Sequence, residues 1–260
     1  MEVLLARIVN EERRASIADI ARRKGFVRNS DLSQRFGVST VTIRQDIEAL
    51  SAQGLVHRTF GGAMFAADAI PDSSFEQRSA EHRASKQRIG AAAASLIRPG
   101  ETILLDSGTT TMEIARRLPP NADITVVTCA LDIALEAGAK PGVTVIVCGG
   151  RLNPRTLSTA DSETGKQLSQ IFADRLFLGT YGIHTEKGLA ERNHDVAQAK
   201  RALIAAARDV TLVCDSSKFA DGGPVIVAPI SIASCVITDA DIAPTYQTWL
   251  REAGIEMLVV

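Results

Sequence analysis

Apolar positions along this chain follow two rhythms. In the first sixty residues they recur every three or four: Ile17, Ile20 and Ala21 in EERRASIADIARRKGF, Leu32 with Phe36 in NSDLSQRF, and Ile43, Ile47 and Leu50 in VSTVTIRQDIEAL. Such spacing lays an apolar stripe along one side of a helix, so three short helices are predicted. Gly25 suits a left-handed cap closing the first. Asn29 or Ser30 is placed to cap the second, Gly37 breaks it, and Ser39 offers its hydroxyl to the free N–H groups of the third. Two short helices joined by a tight glycine-containing turn make a helix-turn-helix. The alternation in GLVHRTFGGAMF, around Gly61-Gly62, adds a small β-ribbon or wing.

Past residue 75 the rhythm changes. KQRIGAAAASLIRPG reads as a helix with Ile89, Ala93, Leu96 and Ile97 inward, stopped by Pro99-Gly100. Short apolar runs (TILLD, ITVVT, VTVIVC, RLFLGT, VTLVCD, CVITD, IEMLVV) then alternate with helical ones (TTMEIARRL, LDIALEAG, AQAKRALIAAA, TWLREAG). That order predicts an α/β domain with a mainly parallel sheet. Between the two regimes MFAADAIPDSSF has no period and suits a connector. The expected division is a winged helix-turn-helix over residues 1–63, a linker over 64–75 and an α/β domain over 76–260. No internal repeat stands out.

Composition narrows the classes. With 260 residues, 45% hydrophobic and 23% charged, the chain can bury a sizeable core, which excludes a disordered or fibrous protein. Net charge is -1, yet residues 1–60 carry 10 Lys and Arg against 7 Asp and Glu, so the basic surplus lies at the front. No apolar run reaches the ~18 residues of a spanning helix, and MEVLLARIVNEERRAS lacks the h-region of a signal peptide. A cytoplasmic protein with no membrane partner is expected. Cys129, Cys148, Cys214 and Cys235 sit in or beside strand-like runs without CxxC spacing and read as reduced core thiols. The four histidines form no ligand pattern, and neither GK[ST] nor GxGxxG occurs, so no metal, nucleotide or other cofactor is expected.

The third helix carries chemistry on the side away from its apolar stripe. Thr40, Val41, Thr42, Arg44 and Gln45 cluster near its N-terminus, and the acidic Glu48 comes a turn later. Arg and Gln make paired hydrogen bonds to guanine and adenine edges, and a Val or Thr methyl meets that of thymine. Arg58, on the wing, is placed to meet a phosphate or the minor groove. With Ser39 these residues form the candidate surface for double-stranded operator DNA. The alternative is a packing module that never meets nucleic acid.

Arg13 to Ala63 resembles the DNA-binding domain of the DeoR family of bacterial transcription regulators. Ser39, Thr42-Ile43-Arg44, Asp46, Leu50, Gly54-Leu55, Arg58 and Gly61-Gly62-Ala63 carry the resemblance. Gln45 stands where the family usually has a second Arg, and Thr59-Phe60 where a His before Gly-Gly is common.

In a parallel sheet, ligands bind beyond the carboxyl ends of the strands. LLDSGTTTMEI places Asp106, Ser107, Gly108, Thr109 and Thr110 there, at the start of a helix whose free N–H groups suit a phosphate. Thr109 or Thr110 alternatively serves only as a helix cap. Thr128, Gly150, Arg151 and Lys218 close other strands, with Lys218 and Arg151 as the cations and Asp106 or Asp215 as acceptors for sugar hydroxyls.

LDSGTTT, VCGGRL, DRLFLGTYGI, GLAE, AKRALI and CDSSKF extend the resemblance through the effector domain of DeoR regulators, which is similar to ribose-5-phosphate isomerase. Thr128-Cys129-Ala130 replaces a frequent Thr-Asn-Ser, and Gln198 stands where an acid is often seen. The resemblance implies a repressor, not an enzyme, of a carbohydrate-metabolism operon. It further implies a phosphorylated sugar or polyol as effector and a homo-oligomer, dimer or tetramer. The alternative is a sugar-phosphate isomerase or related enzyme with an accessory DNA-binding domain, using Asp106, Asp215 or Lys218 as acid and base.

Overall fold

A computed structural model describes residues 2–24, 26–52, 55–59, 61–65, 75–154, 156–219 and 222–260, with only the backbone described at 2–9, 22–24, 57, 64 and 65. Gly25, Gly54, Phe60 and positions 66–74 of the expected linker lie outside the described residues. The chain divides into two units, Met1–Asp72 and Ser73–Val260. Among the described residues no helix is long and apolar enough to cross a membrane.

The first unit runs α1 (Glu2–Lys24), β1 (Phe26–Arg28), α2 (Asn29–Phe36), α3 (Thr40–Ala52), β2 (Val56–Thr59) and β3 (Gly62–Phe65). The apolar stripes meet in one small core: Ile17, Ile20 and Ala21 of α1, Leu32 of α2, and Ile43, Ile47 and Leu50 of α3 pack with Val27, Val56 and Ala63. Each of the larger side chains contributes about 1.5–3 kcal/mol on burial. The wing has three antiparallel strands in the order β1-β3-β2, one more than the sequence predicts. That extra strand revises the expected cap of α2. The N-cap is Arg28, without a side-chain cap bond, because Arg28 is still paired with Gly62 and the chain turns straight from strand into helix. Gly62 is required there: a Cβ would lie 2.0 Å from the Val27 carbonyl oxygen.

The second unit contains α4 (Phe75–Ala80), α5 (Arg83–Ser95), β4 (Thr102–Leu105), α6 (Thr109–Ala115), β5 (Ile124–Thr128), α7 (Leu131–Gly138), β6 (Val143–Val147), β7 (Leu152–Asn153), β8 (Ser158–Thr159), α8 (Ser162–Leu168) and β9 (Ala173–Leu178). It continues with β10 (Gly182–His184), β11 (Gly188–Glu191), α9 (His194–Ala205), β12 (Ala207–Val213), β13 (Val225–Ala228), β14 (Cys235–Thr238), α10 (Pro244–Glu252) and β15 (Glu256–Val259). Seven strands form a wholly parallel sheet in the order β15-β14-β12-β9-β4-β5-β6, as the alternation predicts. The antiparallel sheet β10-β11-β13 and the ribbon β7-β8 are additions that the pattern does not predict.

Helices cover both faces of the large sheet, because alternate strand residues point opposite ways. Ile103, Leu105, Val126 and Phe177 pack with Ile89, Ile114 and Ile133 of α5, α6 and α7. Leu104, Val127, Leu176 and Leu212 pack with Leu168, Leu203 and Leu250 of α8, α9 and α10. All seven strands end on the same edge. From β4 the chain fills the sheet outward through β5 and β6, then crosses to β9 and fills the other side. The reversal opens between β4 and β9, the place where open parallel sheets hold ligands.

Candidate functional sites: an exposed helix face and a polar sheet edge

α3 is held by its buried side. Asp46, 1% exposed, accepts from Arg13 Nε at 2.6 Å and Arg14 Nε at 2.9 Å, tying α3 to α1. At its N-terminus Ser39 Oγ accepts from the Thr42 N–H at 3.1 Å and shares a 2.9 Å bond with the Thr42 hydroxyl, the capping role read from the sequence. Thr42 is half-buried, whereas Ser39, Thr40, Arg44 and Gln45 are exposed and Val41 is 58% exposed. Arg58 reaches back to Glu48 at 2.8 Å, both side chains exposed, a pair worth at most about 1 kcal/mol and easily given up to a phosphate.

At the carboxyl edge of the large sheet, Asp106 follows β4 and is 2% exposed. Its Oδ2 accepts from Lys200 Nζ at 2.5 Å and from the Gly179 N–H at 3.0 Å. Lys200, from α9, also meets Glu191 Oε1 at 3.1 Å and donates to the Gly179 carbonyl at 2.7 Å. Burial opposes its charge, yet Asp106 and Glu191 hold the Lys200 pKa above its usual value, while burial pushes that of Glu191 up. Asp106 therefore arrives already paired.

Ser107, Gly108, Thr109 and Thr110 follow it, all half-exposed. The N-cap of α6 is Gly108 with no side-chain cap bond, so neither threonine hydroxyl is used as a cap. Thr128 is turned inward: its hydroxyl donates to the Leu105 carbonyl at 2.7 Å and accepts from the Ala130 N–H at 3.1 Å.

Gly150 and Arg151 build a different structure. The Arg151 N–H donates to Asp161 Oδ2 at 2.7 Å, and Asp161 caps α8 through the Glu163 and Thr164 N–H groups. A Cβ at Gly150 would lie 2.6 Å from Asp161 Oδ1, which explains the glycine. The Arg151 side chain is 79% exposed and 4.0 Å from Asp195. It follows β6, four strands from β12 in the sheet order, so at about 4.8 Å per strand the two strand ends lie roughly 19 Å apart. Arg151 and Lys218 are not brought together.

Lys218 lies in the 3-10 turn Ser216–Phe219 after β12. Asp215 Oδ1 accepts from the Ser217 N–H at 3.2 Å and from the Ser217 hydroxyl, while its Oδ2 is buried with no hydrogen-bond partner among the described residues. Asp239, after β14, accepts from the Ser216 N–H at 3.2 Å. Although burial opposes it, the bonds from Ser216, Asp241 and Ser85 keep the Asp239 carboxyl below its usual pKa.

Sequence reasoning missed Lys86, Lys200 and Glu191. The two lysines carried a signal. Lys86 shares a helical stripe with Ile89, Gly90 and Ala93, and Lys200 with Ala197 and Leu203, so the period itself sends both cations inward.

Residues 81–240 match the DeoR C terminal sensor domain, and residues 13–68 the DeoR-like helix-turn-helix domain. The chain belongs to the DeoR family. A relative from Escherichia coli O157:H7, whose name ties it to repression of the aga operon, is 35% identical over 96% of this chain and 93% of its own length. The glycerol-3-phosphate regulon repressor of Escherichia coli K12 is 33% identical, covering 88% of this chain and 90% of its own. Among solved structures, the full-length sorbitol operon regulator SorC of Klebsiella pneumoniae covers 91% of this chain and 97% of its own at 12% identity, with a TM-score of 0.45. Ribose 5-phosphate isomerase A of Methanocaldococcus jannaschii covers 52% of this chain and 53% of its own at 14% identity, with a TM-score of 0.38.

Proposed function

We propose that this DeoR-family chain is a repressor of a carbohydrate-metabolism operon, and that a phosphorylated sugar or polyol bound at the sheet edge resets its hold on operator DNA. The observation that carries the reading is α3: its apolar stripe is buried while Thr40, Val41, Arg44 and Gln45 stand exposed at its N-terminal end. Those side chains match base edges in the major groove, and Ser39, Thr42 and Arg58 take the flanking backbone. The expected bounds of 1–63, 64–75 and 76–260 shift slightly: the reader takes in β3 to Phe65, the sensor begins with α4 at Phe75, and the linker lies between them.

The effector is read at the edge around β4, β9 and β12. Ser107, Gly108, Thr109 and Thr110 supply donors, Lys218 the charge, and Asp106, Thr128 and Gly150 shape the walls. Arg151 is the outlying member of this set. Two reader units of a homo-oligomer occupy two half-sites, and effector binding favours a subunit arrangement that spaces them wrongly. The name of one relative, the glycerol-3-phosphate regulon repressor, supports the effector class.

A mobility-shift titration with the DNA upstream of the chain's own gene tests the reader. Arg44→Ala should weaken binding by about 5- to 150-fold, the worth of one paired base contact, with thermal unfolding unchanged because Arg44 is exposed. Equal affinity of variant and parent would remove Arg44 from the reading face.

A further inference from the structure

The inference rests on the effector reading above and concerns how occupancy of that edge leaves it. Lys86, on α5, is 5% exposed. Its ammonium donates to the carbonyl of Arg78 in the last turn of α4. Carbonyls in the last turn of a helix have no partner within the helix, so this bond holds down the end of a six-residue element that buries no side chain completely. Around Lys86 stand Asp215 and Glu81, which attract it, and Lys218 and Arg78, which repel it. The adjacent Ser85 bonds Asp239. The Asp239 carboxylate also accepts from the Ser216 N–H at 3.2 Å, two residues before Lys218, so both lysines lie by the strand end where the Asp215 Oδ2 is buried without a hydrogen-bond partner among the described residues.

A phosphate monoester carries close to two negative charges at neutral pH, and one lysine leaves half of that uncompensated. Lys218 and Lys86 together match it, which Lys218 and Arg151 do not. The bond to the Arg78 carbonyl is already charge-assisted, but a phosphate oxygen adds the attraction of a full opposite charge in a site largely closed to water. The Arg78 carbonyl therefore loses the competition.

We propose that Lys86 is the relay of the sensor: a bound phosphate draws its ammonium from the Arg78 carbonyl, releasing the end of α4. Asp215, relieved of part of that cation, accepts a hydroxyl of the sugar. α4 directly follows residues 66–74, the stretch leading from the reader, so the event is passed to the chain segment that joins the two units. Phe75, packed against the core of α5, α6 and α7, remains as the fixed end of α4.

The test uses the full chain with inorganic phosphate and glycerol 3-phosphate as probes. Calorimetric affinity is measured together with amide exchange over residues 75–82. In the parent, either probe should raise exchange in α4. Lys86→Met should show raised exchange without any probe, no further change on addition, and at least tenfold weaker binding. Lys86→Arg, which keeps the charge, should recover both responses, and it also serves if Lys86→Met does not fold. Should Lys86→Met behave like the parent while Lys218→Met loses binding, the relay is overturned and the effector site stands. If neither substitution alters uptake, or the parent takes up neither probe, the effector reading fails and the relay with it.

Discussion

Asp46 is the residue whose loss has the most calculable consequence for the reader. It is 1% exposed and holds two arginines, Arg13 at 2.6 Å and Arg14 at 2.9 Å. Asp46→Ala leaves the Arg13 guanidinium, 10% exposed, with Asn10 Oδ1 at 2.9 Å as a remaining partner. Removing one partner of a buried pair costs about 3–5 kcal/mol. Arg14 is 33% exposed, so solvent screens its half and only about 0.5 kcal/mol is assigned to it. Allowing for the Asn10 bond, a net loss of about 3 kcal/mol follows, enough to lower a urea midpoint by roughly 2 M in so small a unit.

The two units can be followed separately. Trp249 is the chain's one tryptophan and lies in the second unit, so its fluorescence reports the sensor, while far-UV circular dichroism contains the reader's helices as well. Asp46→Ala should move the reader's dichroism transition and leave the Trp249 transition in place. Adding Arg13→Met, which removes the stranded charge, should recover about half of the loss. A reader transition within about 0.5 kcal/mol of the parent's would refute the reasoning, since ordinary surface substitutions do no more than that.

Two further outcomes concern the sensor. Lys200→Met leaves Asp106 and Glu191 facing each other unneutralised beneath the loop at Gly179, and should cost about 3–5 kcal/mol by Trp249-detected unfolding; a loss below about 1 kcal/mol would show that the cluster is not a fastening. Asp161 is held at about 2, against its usual 3.8, by the N–H groups of Thr164, Arg151 and Glu163. Its folded pKa is depressed, so its contribution is complete above about pH 5 and fades as pH falls towards 2. The stability gap between the parent and Asp161→Asn should therefore close on acidification, and a gap that stays constant down to about pH 2 would count against this assignment.

Much of this molecule is local in origin, and local order is legible from residues in line. The stripe of Ile43, Ile47 and Leu50 fixes which side of α3 turns inward, and thereby leaves Val41, Arg44 and Gln45 outward. Alternating short apolar runs and amphipathic helices specify a parallel sheet, because only crossover connections can join such strands. Partnership is another matter. Asp46 looks like one more polar residue on α3 until two arginines more than thirty positions earlier close on it. Asp106, 94 positions from Lys200, reads as a free acceptor, yet the packing of α9 against the sheet makes it one side of a buried ion pair. Arg151 and Lys218 look equivalent in sequence, each a cation after a strand, and strand order alone places them four strands apart along the edge. Periodicity is a property of neighbours along the chain, so sequence determined which faces are buried. Which charges meet depends on how distant elements stack, and only the tertiary structure decided that.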